Sequence, residues 1–313
     1  MKLKYLSLIL VAALAGCNQE QNPHLRKVDL SILAPTGAPA VAMYQFANGL
    51  TTVTSPQDEL MPKFHTDEYD IIVAPAQGGL TKITKLSCQY KMAAVVTFGN
   101  FALVKVNQND ETPSAGDKVL FFQENDIPGK TFKYLYGDLG LTTYAVANAN
   151  QTVLSLNTGT HKVSETETVQ LDYVFSADPM ITNIGKANQV YERASDAFTR
   201  KTEGKKIIQA AVFVNNNAPK TKVNKLLDLL ESDINTAVSN PKKLKNTINL
   251  VGDIDEQASL FGIDSTIVYN CMKDYNGLGL GFYRASEHKD EINYFINDIL
   301  QANLNITDEA YYQ

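Results

Sequence analysis

In both halves of the chain an apolar, strand-like run stops at a turn of small residues and passes into a helix-like segment. "KVDLSILAP" (27–35) halts at Pro35-Thr36-Gly37 before the helix-like "APAVAMYQFAN", and "KVLFF" (118–122) gives way to "QENDIPGK" and then "TFKYLYGDLG". Between these units "LTTVTS" (50–55) is short and β-branched, and "EYDIIVAPAQGG" (68–79) is a third strand ending in small residues, with a helix expected over "LTKITKLSCQ". Strands alternating with helices predict mainly parallel sheets with helices packed on both faces, the α/β class.

The chain has 313 residues, more than one hydrophobic core usually serves, so two lobes of about 100–150 residues are expected. "MAAVVTFGNFALVKVN" (92–107) holds two apolar stretches around Thr97-Phe98-Gly99-Asn100 and reads as a segment crossing between lobes. After the turn-rich "ETPSAGD" the second α/β lobe begins. It continues through "VQLDYVFSADPMITNIGKAN" (169–188), a strand that meets a helix at Asp178-Pro179. "KKIIQAAVFVNNNAP" (205–219) is a return strand, and amphipathic helices follow. The expected division puts 28–106 with 216–313 in lobe 1 and 107–215 in lobe 2.

Lys2 and Lys4 precede an apolar run from Leu6 to Ala15, shorter than the roughly 20 residues that span a bilayer, which is the form of a signal peptide. It ends in Leu14-Ala15-Gly16-Cys17, similar to the bacterial lipobox. That resemblance implies a leader over 1–17, a diacylated Cys17 and a tether over 18–27. Acyl chains contribute about 0.8 kcal/mol per buried CH₂, enough in pairs to hold a soluble domain at a membrane. The alternative is an ordinary signal peptide cleaved near Ala15. Cys88 and Cys271 have no metal-like spacing and are expected to be buried free thiols, with a disulfide between them left open. A net charge of −6 offers no basic face to displace phosphate counterions, which argues against a nucleic-acid partner. No HExxH, GxSxG or paired Cys/His spacing occurs, so neither catalysis, a metal nor a cofactor is expected. His24, His65, His161 and His288 sit in polar contexts and are expected to be solvated.

The order of "ILAPTGAPA", "YDIIVAPAQGGL", "VVTFGNFALV" and "LDYVFSADPMITN", with the tail "FYRASEHKDEINYFINDIL" and "ITDEAYYQ", resembles the substrate-binding lipoproteins of ABC importers. Within these it is similar to the group of nitrate, sulfonate, taurine and thiamine-precursor receptors, which have the two-lobed class II periplasmic-binding-protein fold. The resemblance implies lobes joined by crossing strands, a small-molecule ligand in the cleft, ABC permease subunits as partners, a membrane attachment through lipid, and a monomer that does no chemistry.

In open α/β sheets ligands bind beyond the carboxyl ends of strands. Three groups of lobe-1 residues are therefore candidate ligand contacts: Pro35, Thr36, Gly37 and Ala38; Gln77 and Gly78 with Gly79; and Thr97, Phe98 and Asn100. In lobe 2 they are Glu124, Asn125, Asp126 and Asp178. Each has a plainer reading: a tight turn at Gly37, core packing for Phe98, helix N-caps for Asp126 and Asp178. Three carboxylates against the single nearby Lys130 favour a donor-rich ligand, such as a thiamine-precursor-like heterocycle stacked on Phe121, Phe122, Tyr44 or Tyr173, over a small organic anion. Alternatives of other classes are a surface lipoprotein with an adhesive or scaffolding role and an enzyme built on the same fold.

Overall fold

In a computed structural model, residues 24–86, 88–107 and 112–313 are described; the lipobox and Cys17 lie outside them. The first part of the chain runs β1 (Ile32–Pro35), α1 (Ala38–Ala42), β2 (Leu50–Val53), β3 (Ile71–Pro75), α2 (Ala76–Leu86) and β4 (Tyr90–Thr97). It then passes through β5 (Phe101–Lys105), β6 (Lys118–Phe122), α3 (Ile127–Tyr136), β7 (Thr142–Val146), α4 (Thr152–Thr158), β8 (Thr160–Lys162) and β9 (Thr168–Gln170). β10 (Tyr173–Ala177), α5 (Met180–Asn183), β11 (Val190–Arg193), α6 (Ala194–Lys201) and β12 (Ala210–Asn215) follow. The chain ends with α7 (Lys220–Ser239), α8 (Pro241–Ile248), α9 (Ile254–Phe261), α10 (Ser265–Met272), β13 (Leu280–Arg284) and α11 (Lys289–Asn293).

Two sheets result, ordered β13-β4-β12-β3-β1-β2 and β11-β5-β10-β6-β7, and β8 and β9 form a separate hairpin. β1, β2 and β3 pair in parallel, as do β10, β6 and β7, while β12, β13, β5 and β11 enter antiparallel. Strand alternation sends Ile32, Ala34, Ile71, Val73, Val212 and Val214 into one core with α1, α7, α8 and α10. Their neighbours Leu33, Ile72, Ala74, Ala211 and Phe213 face α2 and the C-terminal segment. Both faces are covered, which is why these strands read as unbroken apolar runs.

Two boundaries differ from expectation. β5, assigned by sequence to lobe 1, pairs with β10 in the second sheet, and β12, assigned to lobe 2, pairs with β3 and β4 in the first. The apolar run over 92–107 is two strands broken at Gly99, whose φ of 91° ends β4, so the sheets part there and not at 106. The second difference concerns Gln77, Gly78 and Gly79, expected in a loop but found in the first turn of α2. A Cβ at Gly79 would lie 2.1 Å from Phe213 Cζ, so glycine here lets the helix settle onto β12. The C-terminal segment also reaches the second half: Phe295 packs edge-on to Phe198 at 5.6 Å, and Lys130 Nζ donates to the Leu300 carbonyl at 2.6 Å.

Candidate functional site

The strand order places the carboxyl ends of β1, β3 and β4 beside the start of β12, and those of β10, β6 and β7 beside the start of β5. These two edges meet where the chain crosses from β4 to β5 and returns into β12. The junction is hydrogen-bonded throughout. Gln209 Oε1 accepts from the N–H groups of Gly99 at 3.1 Å and Asn100 at 3.3 Å, and Gln209 Nε2 donates to Asn100 Oδ1 at 2.9 Å. Asn100 Nδ2 donates to the Asp178 carbonyl, and Asp178 N–H donates back to the Asn100 carbonyl at 2.9 Å. A Cβ at Gly99 would approach Ile207 Cδ1 to 2.8 Å, so positive φ and close packing both require glycine.

Every candidate residue lies on one of these edges, in differing circumstances. Pro35 is buried at the end of β1, and Thr36 N–H is bound by the Val53 carbonyl at 2.9 Å. The Gly37 N–H donates to the Phe261 carbonyl at 2.7 Å, and Pro39 has no N–H. With Ala38 buried, this loop offers fewer backbone donors than its small residues suggested. Gln77 and Gly78 are half-buried at the start of α2. Thr97 is buried and its hydroxyl accepts the Ala210 N–H at 3.0 Å. Phe98 packs edge-on to Tyr283 at 4.7 Å, with Lys206 Nζ 5.1 Å from its ring centre.

The acidic residues separate into two kinds. Glu124, Asn125 and Asp126 are exposed; Glu124 pairs with Lys133 at 2.8 Å, and Asp126 occupies the N-cap position of α3 without a side-chain capping bond. Asp178 is fully buried. Its Oδ1 accepts from Thr182 N–H at 3.1 Å and from the Thr182 hydroxyl at 2.6 Å, while Oδ2 accepts from Arg193 Nη1 at 2.9 Å. Arg193, at the end of edge strand β11, was not picked out by sequence, nor was Tyr275, whose ring centre lies 3.4 Å from the guanidinium carbon. Arg193 Nη2 is buried and has no hydrogen-bond acceptor. The local charge balance is thus more positive than three carboxylates against one lysine implied. The aromatic candidates are also spent: Tyr44, Phe121, Phe122 and Tyr173 are core residues, Phe121 stacking on Phe132 at 4.7 Å.

His288, expected to be solvated, stacks on Tyr283 at 3.7 Å with 6° between the rings, and its Nδ1 lies 3.6 Å from Glu291 Oε2. Cys88 and Cys271 are free thiols, which closes the disulfide question. Burial first, and the Asp178 charge second, pushes the Cys271 thiol up to about 12. Burial likewise raises the Tyr275 phenol, again with Asp178 adding to it. Among the described residues no cluster of His, Cys, Asp and Glu could hold a metal ion, and no helix is long and apolar enough to cross a membrane.

No protein-family model matches the chain, and no curated protein matches it. Solved structures do. An ABC transporter protein from Parabacteroides distasonis superposes with a TM-score of 0.66 at 15% identity, over 92% of this chain and 99% of that one. The periplasmic aliphatic sulphonate binding protein of Escherichia coli gives 0.56 at 9% identity, over 90% and 96%. A conserved Candida albicans protein described as having the generic periplasmic binding protein fold gives 0.51 at 12% identity, over 91% and 93%. At these identities the likeness is one of fold: the chain has the two-lobed α/β periplasmic-binding-protein fold that the order of its motifs resembled.

Proposed function

We propose that this chain is an extracytoplasmic solute-binding lipoprotein that captures a small molecule between its halves and delivers it to the permease subunits of an ABC importer. The observation that carries this reading is the opposition of the two strand-end edges across the 97–101 and 205–210 crossings, with a buried guanidinium donor at their junction that lacks an acceptor. A buried donor without an acceptor calls for an explanation, and among the five such side-chain atoms of the described residues Arg193 Nη2 is the one at this junction, where a solute oxygen would satisfy it. Membrane attachment through Cys17, a monomeric state and the absence of catalysis are parts of the same reading. The raised Cys271 thiol fits it, because a thiol that stays protonated at neutral pH is a poor nucleophile.

Of the two ligand classes weighed from sequence, the site now favours a small organic anion over a donor-rich heterocycle. Asp178 is neutralised by Arg193 and Glu124 is paired with Lys133, so two of the three carboxylates that favoured a donor-rich ligand are already occupied, and the exposed Asp126 alone keeps an unpaired carboxylate. Native mass spectrometry of the full chain purified from its own host tests the reading. A co-purifying small molecule that raises the melting temperature on re-addition supports it, since a ligand at 100 times its Kd stabilises the native state by about 2.7 kcal/mol. Protein that carries nothing and is stabilised by no member of a panel of organic acids, amines and vitamins counts against it.

A further inference from the structure

The two halves are held together by two seams of opposite chemistry, on opposite faces of the second sheet. One is the C-terminal segment, which lies with α3 and α6 and is mainly apolar: Phe295 against Phe198, within the core that also holds Ile292, Ile296 and Ile299, with Lys130 Nζ donating to the Leu300 carbonyl at its margin. The other lies on the face covered by α4 and α5 and is polar. There Tyr275, in the loop that follows α10 of the first half, places its ring under the Arg193 guanidinium at 3.4 Å, and its hydroxyl lies 3.2 Å from Thr182 Oγ1. Gly277 comes so close that a Cβ would sit 2.8 Å from Asp178 Oδ2.

Each jaw of the polar seam is braced by hydrogen bonds within its own half. Asn276 clamps its own loop, donating to the Leu280 carbonyl at 2.6 Å and accepting the Leu280 N–H at 2.9 Å, while Gly277 N–H reaches the Cys271 carbonyl at 2.9 Å. Across the seam, Asp178 fixes both Arg193 and Thr182. Arg193 pairs with Ala102 on β5, and Asp178 follows β10 on the far side of β5. The guanidinium therefore spans the start of β5, at the point where the chain crosses between halves.

Parting an apolar seam exposes hydrocarbon to water, whereas a polar seam is resolvated as it opens. We propose that Tyr275 and Arg193 form a clasp that holds the halves together before any solute arrives, and that the molecule opens by parting at this clasp while the C-terminal seam stays shut. The clasp regulates access to the solute site and rests on the solute-binding reading for its purpose, though not for its geometry. Capture then requires clasp opening, and weakening the clasp raises the fraction of molecules open at rest.

The test is a distance measurement by pulsed electron resonance on the full chain in detergent, with spin labels at Lys162→Cys and Lys242→Cys in a Cys88→Ser background. The expected result is one narrow distance for the otherwise native chain, a population of at least one third at longer distances in Tyr275→Ala, and a return to the narrow distance in Tyr275→Phe, which keeps the ring. Amide exchange over 292–300 stays unchanged in all three. If Tyr275→Ala does not fold, Arg193→Lys keeps the charge facing Asp178 while removing the flat guanidinium, and is expected to open likewise. An unaltered distance in the variant that folds, a broad distribution in the native chain, or faster exchange over 292–300 overturns the clasp. None of these outcomes depends on a solute, so failure of the clasp and failure of the solute-binding reading are told apart.

Discussion

Gln209 holds Asn100 by two hydrogen bonds, accepting its N–H at 3.3 Å and donating to its Oδ1 at 2.9 Å, and accepts the adjacent Gly99 N–H at 3.1 Å. One side chain on the returning crossing thus satisfies the polar groups of the outgoing one. Gln209→Ala leaves those groups, which sit in a buried turn, without partners. Leaving a buried donor or acceptor unmade costs about 1–3 kcal/mol, so the midpoint of urea unfolding is predicted to fall by that amount of stability. Gln209→Glu keeps the acceptor but not the donor, and is expected to lose less. Equal midpoints for wild type and Gln209→Ala would refute the junction's role.

Gly79 was read from sequence as part of a ligand-facing loop, and the structure gives it a packing role against Phe213 instead. The two readings predict different losses. With a Cβ forced to 2.1 Å from the ring, Gly79→Ala is expected to destabilise the chain by about 1–3 kcal/mol, the usual range for overpacking a core. Phe213→Leu in the same molecule relieves the clash and is expected to restore part of that stability. A Gly79→Ala chain with unaltered thermal unfolding but altered solute uptake would return Gly79 to the site.

What the sequence made legible divides along this same line between local pattern and distant contact. β1, β3 and β12 were readable because strands buried on both faces are continuous apolar runs, and Gly99 with Asn100 stood out because a crossing interrupts two such runs. Arg193 was not readable: β11 is a half-buried edge strand of four residues, and the partners that give Arg193 meaning lie on other elements. Asp178 is legible as a carboxylate at a strand end, but its pairing with Arg193 is not, since that neutralisation is a tertiary fact. His288 looked solvated because the ring it stacks on, Tyr283, sits at the end of a strand whose register depends on β4.

Cys271 sets a pH limit that can be measured. Its thiol is raised to about 12 in the folded chain, from an ordinary value near 9, so between those values the unfolded chain has released a proton that the folded chain keeps. The unfolded state then binds fewer protons, and stability falls as pH rises through that window. Tyr44, Tyr90 and Tyr311, each also raised to about 12 mainly by burial, add to the slope above pH 10. Cys271→Ala is predicted to flatten the decline between about pH 9 and 10, where the tyrosines contribute little. Cys88 is only half-buried, so a thiol reagent at pH 8 should modify Cys88 well before Cys271. Simultaneous labelling of both would mean that Cys271 is not sealed in the core.

At the start of the described chain, Arg26 grips Asp233 of α7 with two hydrogen bonds, Nε to Oδ2 at 2.7 Å and Nη2 to Oδ1 at 2.6 Å. Asp233 is almost wholly buried, and Tyr44 donates to its carbonyl at 3.1 Å, so the carboxylate has been withdrawn from water on the expectation of this partner. The hydrogen bond to Asp233 is also what chiefly raises the Arg26 guanidinium above its ordinary value. Removing one member of a buried pair leaves the other charged and alone, at a cost of about 3–5 kcal/mol; Arg26 is partly exposed, which places the expected loss for Arg26→Ala at the lower end, about 3 kcal/mol. Arg26→Lys keeps the charge but not the fork and should recover only part of it. Arg26→Ala with Asp233→Asn removes the stranded charge and is expected to be more stable than Arg26→Ala alone, which a double-mutant cycle by chemical denaturation reads directly. Additive losses in that cycle would mean that the two side chains do not interact, and that the tether proposed over 18–27 is not moored to α7 by this pair.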